Sequence, residues 1–224
     1  MKIILLLFSI VALLQQSCIK EECKFDYPNY VFEIPSSFSP QKEIYNVGDT
    51  ITIKSTFTNS VYDRSTQRNY VLKNFKFYPE FTIIKISQKT SDRAAFFLFD
   101  VIIEPQYNIT YFYGSGSKEL NYYGQFLNEN SSYNLKLSIV PKDTGLFVFH
   151  HSSSIDWDGI GDQEQEFEGK CDKKGLELFV NMNGNNENNI NLLIQSPDEH
   201  YNTWVLEKPV ARFHSLGGYA FYVR

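Results

Sequence analysis

The chain has 224 residues and a formal net charge of −5, with 21 lysine and arginine residues against 26 aspartate and glutamate residues. A negative excess of this size argues against nucleic acid or an anionic membrane surface as the main partner. Aromatic residues make up 16% of the chain, including 19 Phe and 15 Tyr, and these residues favour β-strands. The length is enough for one large β domain or two small ones.

The N-terminal residues are organised like a secretion signal. Lys2 precedes an apolar run from Ile3 to Leu14, and the small residue Ser17 stands directly before Cys18. A run of about 12 residues is too short to span a bilayer of about 30 Å as a helix, so we expect it to be cleaved rather than kept as an anchor. This pattern predicts a signal peptide over residues 1–17.

A cysteine directly after a small residue resembles the signal of bacterial lipoproteins, in which that cysteine carries lipid and becomes the mature N-terminus. Gln15 replaces the usual aliphatic residue, and this looser form is similar to lipoproteins of the Bacteroidota. Lys20-Glu21-Glu22 also resembles the export signal that sends such lipoproteins to the cell surface. The resemblance implies lipid on Cys18, a tether over residues 18–26, and a place at the outer membrane, either on the cell surface or facing the periplasm. The alternative is an ordinary cleaved signal, with Cys18 removed or left as a free thiol.

Residues 27–224 are predicted to fold as strands and turns. The pattern of Tyr30–Ile34 predicts a strand that ends at Pro35 and is followed by a loop to residue 42. After the turn signal Gly48-Asp49, apolar Ile51 and Ile53 alternate with polar residues, which predicts a strand with one buried face. This strand entry resembles the early strands of extracellular immunoglobulin-like sandwiches.

The middle of the chain continues the strand pattern. Strands are predicted within residues 75–87, 94–103 and 109–113. Ser132–Val140 alternates apolar and polar residues, and a proline–glycine turn over residues 141–145 leads into apolar residues 146–149. Two such runs around a turn predict a hairpin. A domain boundary near residue 141 is an alternative division, but no linker rich in Pro, Ser or Gly marks it.

The last third contains further strand patterns separated by polar segments. Strands are predicted at Leu176–Val180, Ile190–Ile194, Trp204–Leu206 and Tyr219–Val223. The asparagine-rich residues 181–189 are predicted to form a solvated turn or a disordered segment. About ten to twelve strands without a long amphipathic helix predict an all-β protein, an antiparallel β-sandwich of immunoglobulin-like type.

An acidic stretch in this region invites comparison with a calcium loop. Asp156, Asp158 and Asp162 have the alternating spacing of oxygen ligands in such loops. Ser154 stands at the first ligand position and Gln165 at the twelfth, where acidic residues are expected, and no flanking helices are predicted. The favoured interpretation is an exposed acidic loop, with a calcium site formed by the three aspartates as the alternative.

The histidines and serines show no catalytic pattern. His150 and His151 are neighbours on a predicted strand, so their side chains should point to opposite faces and not share a metal. His200 and His214 are isolated, and structural roles are expected for them. No Gly-x-Ser-x-Gly nucleophile turn is present. We therefore expect a non-catalytic binding or structural module, the alternative being an envelope hydrolase or a glycan-binding module with its site on exposed loops.

Several aromatic residues are candidates for glycan binding, because flat rings can stack on sugar rings. They are Tyr111, Tyr113, Tyr122, Tyr123, Trp157 and Trp204. The favoured interpretation is that most of them fill or flank the core of the sandwich, with a glycan-binding surface as the alternative. Beyond the membrane, a glycan and a protein are the candidate partners.

The cysteine count bears on a disulfide bond. If Cys18 carries lipid, Cys23 and Cys171 remain as an even pair in an exported protein, where disulfides persist. A Cys23–Cys171 bond is predicted on this parity. Two separate thiols are the alternative.

Overall fold

The computed structural model describes residues 30–73, 75–87, 95–113, 120–155, 176–184 and 186–224. These residues form two β-sheets that face each other across an aromatic core, with a short helical layer on part of one outer face. The strands are β1 (Tyr30–Ser39), β2 (Ile44–Tyr45), β3 (Ile51–Thr58), β4 (Ser60–Asp63), β5 (Arg68–Val71), β6 (Tyr78–Ile86), β7 (Phe99–Ile103), β8 (Asn108–Tyr113), β9 (Leu120–Gln125), β10 (Leu127–Glu129), β11 (Ser132–Pro141), β12 (Gly145–Ser154), β13 (Leu176–Met182) and β14 (Tyr219–Val223). The short helical segments are α1 (Ala95–Leu98), α2 (Ile190–Gln195), α3 (His200–Val205) and α4 (Val210–His214). The predicted all-β sandwich is confirmed.

The first sheet has the strand order β10-β11-β3-β1-β4-β5, with β7 also paired to β11 and β13 paired to β1. Its pairs are antiparallel except β1 with β13, which run parallel. Ile51 and Ile53 of β3 lie opposite Ile139 and Leu137 of β11, and all four are buried. The buried faces predicted for these two strands are therefore confirmed.

The second sheet has the strand order β2-β14-β12-β6-β9-β8. Its inner face supplies aromatic rings that meet those of the first sheet. Phe38 of β1 stacks on Tyr219 of β14, with 4.2 Å between ring centroids, and lies 5.3 Å from the ring of Phe149. The abundant phenylalanine and tyrosine of the sequence thus hold the two sheets together.

The predicted hairpin of residues 132–149 is wrong. β11 belongs to the first sheet and is paired with β3 and β7, whereas β12 belongs to the second sheet and is paired with β14 and β6. The connection between them crosses the sandwich and is held by an ion pair of 2.5 Å between Lys85 and Asp143. The turn residues specify a reversal of the chain, but they do not specify that the two strands become neighbours.

The predicted end of the first strand at Pro35 is also wrong, because β1 continues to Ser39. Proline has no N–H to give to a ladder. Pro35 lies between the part of β1 that pairs with β4, at Phe32 and Glu33, and the part that pairs with β3, from Ser37 onward. At this junction the missing N–H is tolerated.

Three predicted strand segments are helical instead. α2 replaces the predicted strand at 190–194, α3 includes most of the predicted strand at 204–206, and α1 occupies residues 95–98 of the predicted strand at 94–103. Short apolar runs do not distinguish a strand from a helix. Here α2, α3 and α4 bury Ile190, Val205 and Phe213 against an apolar part of the second sheet.

The asparagine-rich segment is an ordered turn in the residues described. Asn183, Asn188 and Asn189 have φ values of 53°, 51° and 59°, a backbone region that asparagine tolerates well. The Asn183 side chain accepts a hydrogen bond from the backbone N–H of Phe38 at 2.9 Å. Asn189 donates to the carbonyl oxygen of Ala220 at 3.0 Å. These side chains tie the turn to both sheets, so the segment is only partly solvated.

No helix within the described part of the chain has both the length and the apolar character needed to cross a membrane.

Candidate functional site

The outer face of the second sheet changes from apolar to polar along its strands. On β6 and β12, the apolar outward positions carry Ile84, Ile86, Leu146 and Val148, which lie beneath the helical layer. The remaining outward positions of the same strands carry Tyr78, Glu80, Thr82, His150, Ser152 and Ser154. The helical layer covers the first group and leaves the second group beside an open depression.

Two adjoining cavities form this depression, and we call them together the outer groove. The larger has a volume of about 660 Å³ and is lined by Tyr78, Glu80, Thr110, Tyr111, Phe112, Tyr123 and Ser152–Ser154. The smaller, of about 350 Å³, lies toward α3 and includes Asn121, His150, His200, Trp204 and Arg212 in its lining. Both are lined by Glu80 and Ser152, so the two cavities adjoin at these residues.

Glu80 is held in place at the junction of the two cavities. Its Oε1 atom accepts hydrogen bonds from the hydroxyl of Tyr123 at 2.9 Å and from Nδ2 of Asn121 at 3.0 Å. Asn121 is itself oriented by Thr82, whose hydroxyl donates to Oδ1 at 3.2 Å. Within the described residues no hydrogen bond involves Oε2 of Glu80. A fixed carboxylate with one uncommitted oxygen can accept hydrogen bonds from a ligand.

The register of the four strands places the polar side chains in a row. Thr110 lies opposite Tyr123, Tyr123 lies opposite Glu80, and Glu80 lies opposite Ser152. Neighbouring strands are about 4.8 Å apart, so the row spans about 14 Å. The groove is therefore suited to an extended ligand that lies across the strands.

Aromatic rings form the end of the groove at β8. Phe112 has an exposed fraction of 59% and its ring centroid lies 6.5 Å from that of Tyr123. β8 reaches this position because Gly124 of β9 allows close approach. A Cβ atom at Gly124 would lie 2.5 Å from the carbonyl oxygen of Asn108.

A stack of three planar groups forms the other end. The imidazole of His200 lies parallel to the indole of Trp204, with 4.5 Å between centroids, and the guanidinium of Arg212 lies 3.9 Å from the same ring. Arg212 also donates hydrogen bonds to the carbonyl oxygen of Trp204 and to Glu207. The indole is thus engaged by the protein itself, which leaves less of its surface for a sugar ring.

The structure separates the aromatic residues predicted for glycan binding. It brings Tyr111, Tyr123 and Trp204 to the groove. Tyr122 packs inward instead, with its ring 4.7 Å from that of Phe96. The side chain of Tyr113 and all of Trp157 lie outside the described residues.

Sequence reasoning missed Phe112 and Glu80. The available signal was alternation: Phe112 is two residues from Thr110, so both point to the same face of β8. For Glu80, the signal was the change from polar to apolar residues at alternate positions between Tyr78 and Ile86.

His150 and His151 point to opposite faces, as predicted. His150 lines the groove, whereas His151 is fully buried in the core beside the ring of Phe81, at 4.7 Å. Nδ1 of His151 is 2.9 Å from the hydroxyl oxygen of Ser36, and Nε2 has no hydrogen-bond partner in the described part of the chain. Burial lowers the pKa of His151 to about 3, so the ring is neutral.

The other predicted site residues are placed as follows. His214 is half-buried away from the outer groove, and burial lowers its pKa. Cys18, Cys23 and Cys171, and the candidate calcium ligands Asp156, Asp158 and Asp162, lie outside the described residues. Among the residues that are described, no group of three or more His, Cys, Asp or Glu side chains is placed to hold a metal ion.

Comparison with known proteins adds no family to this description. No protein-family model matches the chain, and a search of curated proteins found no match either.

Proposed function

We propose that this protein is a non-catalytic binding module of the bacterial envelope, anchored to the outer membrane by lipid on Cys18 and displayed at the cell surface. The observation that carries the binding role is the outer groove. The two sheets bury a shared aromatic core between them, yet a polar and aromatic part of one outer face stays open beside the helical layer. Ligand sites commonly combine apolar walls with a few fixed polar groups in a volume of this order.

The chemistry of the groove favours binding over hydrolysis. Glu80 is the only carboxylate among the described lining residues. Hydrolysis of a glycan commonly uses two carboxylates on either side of the scissile bond. The two donors on Glu80, from Tyr123 and Asn121, are neutral groups that orient the carboxylate. Held in this way, Glu80 is a fixed acceptor for hydrogen bonds from a ligand.

The anchor is supported by sequence alone. Ser17-Cys18 supplies the lipidation site, and Lys20-Glu21-Glu22 supplies the surface signal. One acyl chain binds membranes only marginally, but several chains hold firmly. We expect Cys18→Ala to abolish metabolic labelling with an alkynyl fatty acid, while Cys171→Ala keeps the label. Equal labelling of Cys18→Ala and the parent protein would contradict the anchor.

Surface display is tested separately on intact cells. Protease added outside should remove the parent protein, and replacement of residues 20–22 by alanine should protect it. If the parent protein resists while other surface proteins are degraded, the anchor faces the periplasm.

The binding role is tested by a photoreactive amino acid placed in the groove at Thr110 of the full-length protein. Irradiation of intact cells should give an adduct of discrete mass. The same amino acid at Lys54, on the outer side of β3 in the first sheet, serves as the control position. If Thr110 gives no adduct, or if both positions give the same adducts, the groove is not a binding site.

A further inference from the structure

We propose that the outer groove binds a neutral oligosaccharide, with its hydroxyl groups on Glu80 and a sugar ring against Phe112. This inference rests on the proposed function and names the ligand class of the same site.

The first argument is the charge of the groove. Its described lining carries one carboxylate, Glu80, and one guanidinium, that of Arg212. Arg212 is already hydrogen-bonded to Glu207 at 3.1 Å and lies against Trp204. A phosphate or an acidic sugar would therefore meet a carboxylate at the centre of the groove, while the guanidinium of Arg212 is already engaged. A single carboxylate is also too little charge to select a polycation.

The second argument is the order of hydrogen-bonding groups. The row across the four strands consists of a hydroxyl on Thr110, the ring of Tyr123, the carboxylate of Glu80 and a hydroxyl on Ser152. A carboxylate only accepts hydrogen bonds, so its ligand must offer donors. Neighbouring hydroxyl groups on a pyranose ring offer them at short spacing without carrying charge.

The third argument is the aromatic wall beside this row. A sugar ring has an apolar face of C–H groups, which packs on an aromatic ring while its edge hydroxyls make hydrogen bonds. Phe112 supplies an exposed ring next to Tyr123, two residues along β8 from Thr110 of the polar row. The combined volume and the span of about 14 Å fit several linked sugars better than a single one.

The test uses the soluble mature protein, with Cys18 replaced, on a printed array of neutral, acidic and amino-sugar oligosaccharides. Neutral oligosaccharides should be retained. Titration calorimetry with a retained tetrasaccharide should then show weaker binding for two variants. We expect about a 10- to 100-fold loss for Glu80→Gln, since hydrogen bonds to charged groups are strong, and about a tenfold loss for Phe112→Ala.

Two matched controls separate the site from general effects. Phe97→Ala removes a ring of similar exposure, 52%, that does not line the groove, and Glu129→Gln neutralises an exposed carboxylate on the first sheet. Both should keep the affinity of the parent protein. Thermal unfolding checks that each variant is folded. If Phe112→Ala does not fold, the isosteric variant Glu80→Gln still tests the inference.

Each contrary result overturns the inference. Retention of acidic or cationic oligosaccharides alone, retention of none, or unchanged affinity in Glu80→Gln would each do so. A photo-adduct at Thr110 together with an empty array would show that the groove binds a different class of ligand, such as a peptide. In that case the groove is a binding site, but the assignment of a neutral oligosaccharide as its ligand is wrong.

Discussion

His151 is a titratable side chain that is fully buried in the core. It sits in the core between the sheets, with Ser36 as its hydrogen-bond partner. A neutral imidazole is tolerated there, but a charged one would lose its hydration without gaining a counter-ion. The neighbouring histidines therefore differ in role: His150 lines the outer groove and His151 belongs to the core.

We predict that acid destabilises the protein through His151. The pKa of His151 is about 3 in the folded state, whereas an unperturbed histidine has a pKa of 6.5. Between these values the unfolded chain binds a proton that the folded chain excludes. The free energy of unfolding should therefore fall as pH decreases below about 6.5, by up to about 1.4 kcal/mol per pH unit. Urea unfolding between pH 7 and pH 5 measures this slope.

The controls for this prediction use the same core position. In His151→Gln the slope should shrink but not vanish, because the pKa of His214 is also lowered by burial. Ser36→Ala keeps the buried imidazole and should keep the slope, with stability lower by about 1 kcal/mol. A slope that is identical in His151→Gln and the parent protein would refute the assignment. Hydrogen bonds from Lys136 and Lys85 lower the pKa values of the Glu104 and Asp143 carboxyl groups. Protonation of these two groups therefore reduces the free energy of unfolding only below this pH range.

At the scale of elements, the β8–β9 pair decides whether the groove exists. β8 is an edge strand, and it carries Thr110 and Phe112. Its approach to β9 depends on the absence of a side chain at Gly124. One glycine thus positions the aromatic end of the candidate site.

We predict that Gly124→Ala displaces β8 while the rest of the sandwich stays folded. The new Cβ would lie 2.5 Å from a backbone oxygen and 2.9 Å from Cγ1 of Ile109, so the strand must shift. Overpacking of this kind costs about 1–3 kcal/mol. Hydrogen exchange should become faster at the β8 amides and stay unchanged in β11. Equal protection of β8 in the variant and the parent protein would show that the strand accommodates the methyl group.

The elements also show how far sequence reasoning reaches. Alternation correctly gave the buried faces of β3 and β11, because that pattern depends only on neighbours along the chain. It did not give the sheet to which β12 belongs, since pairing is decided by residues far away in sequence. The groove was missed for the same reason: Glu80 becomes a site only when β9 and β12 lie on either side of β6. The helices at 190–205 were missed because their apolar residues are needed to cover the apolar part of an outer sheet face.

At the scale of the whole molecule, the parallel pairing of β1 with β13 bears on the predicted disulfide. Tyr30 lies opposite Leu176, and the two strands run in the same direction. The chain therefore enters both strands at the same end of the sheet. Cys23 precedes Tyr30 by seven residues and Cys171 precedes Leu176 by five. These segments are long enough to bring the two Cα atoms within the 7 Å or so that a disulfide requires.

We predict a Cys23–Cys171 bond in the exported protein. The bond would close a loop of about 150 residues, which stabilises the fold by up to about 5 kcal/mol in the chain-entropy model. Mass spectrometry of the native protein without reduction should find the linked peptides, and reduction should lower the melting temperature. A Cys23→Ser, Cys171→Ser double variant should have the same melting temperature as the reduced protein. If both thiols can be alkylated without a reducing agent, the bond is absent.

The same β1–β13 pairing sets the order in which the chain can fold. The first strand of the domain finds its parallel neighbour only when the last third of the chain is present. Folds dominated by such distant pairings form in milliseconds to seconds rather than microseconds. A chain truncated before Leu176 leaves the backbone groups of Tyr30–Ser36 without their partner strand, and exposed edges of this kind promote aggregation. Premature termination anywhere in the first three quarters of the chain therefore yields an aggregation-prone product rather than a smaller folded domain.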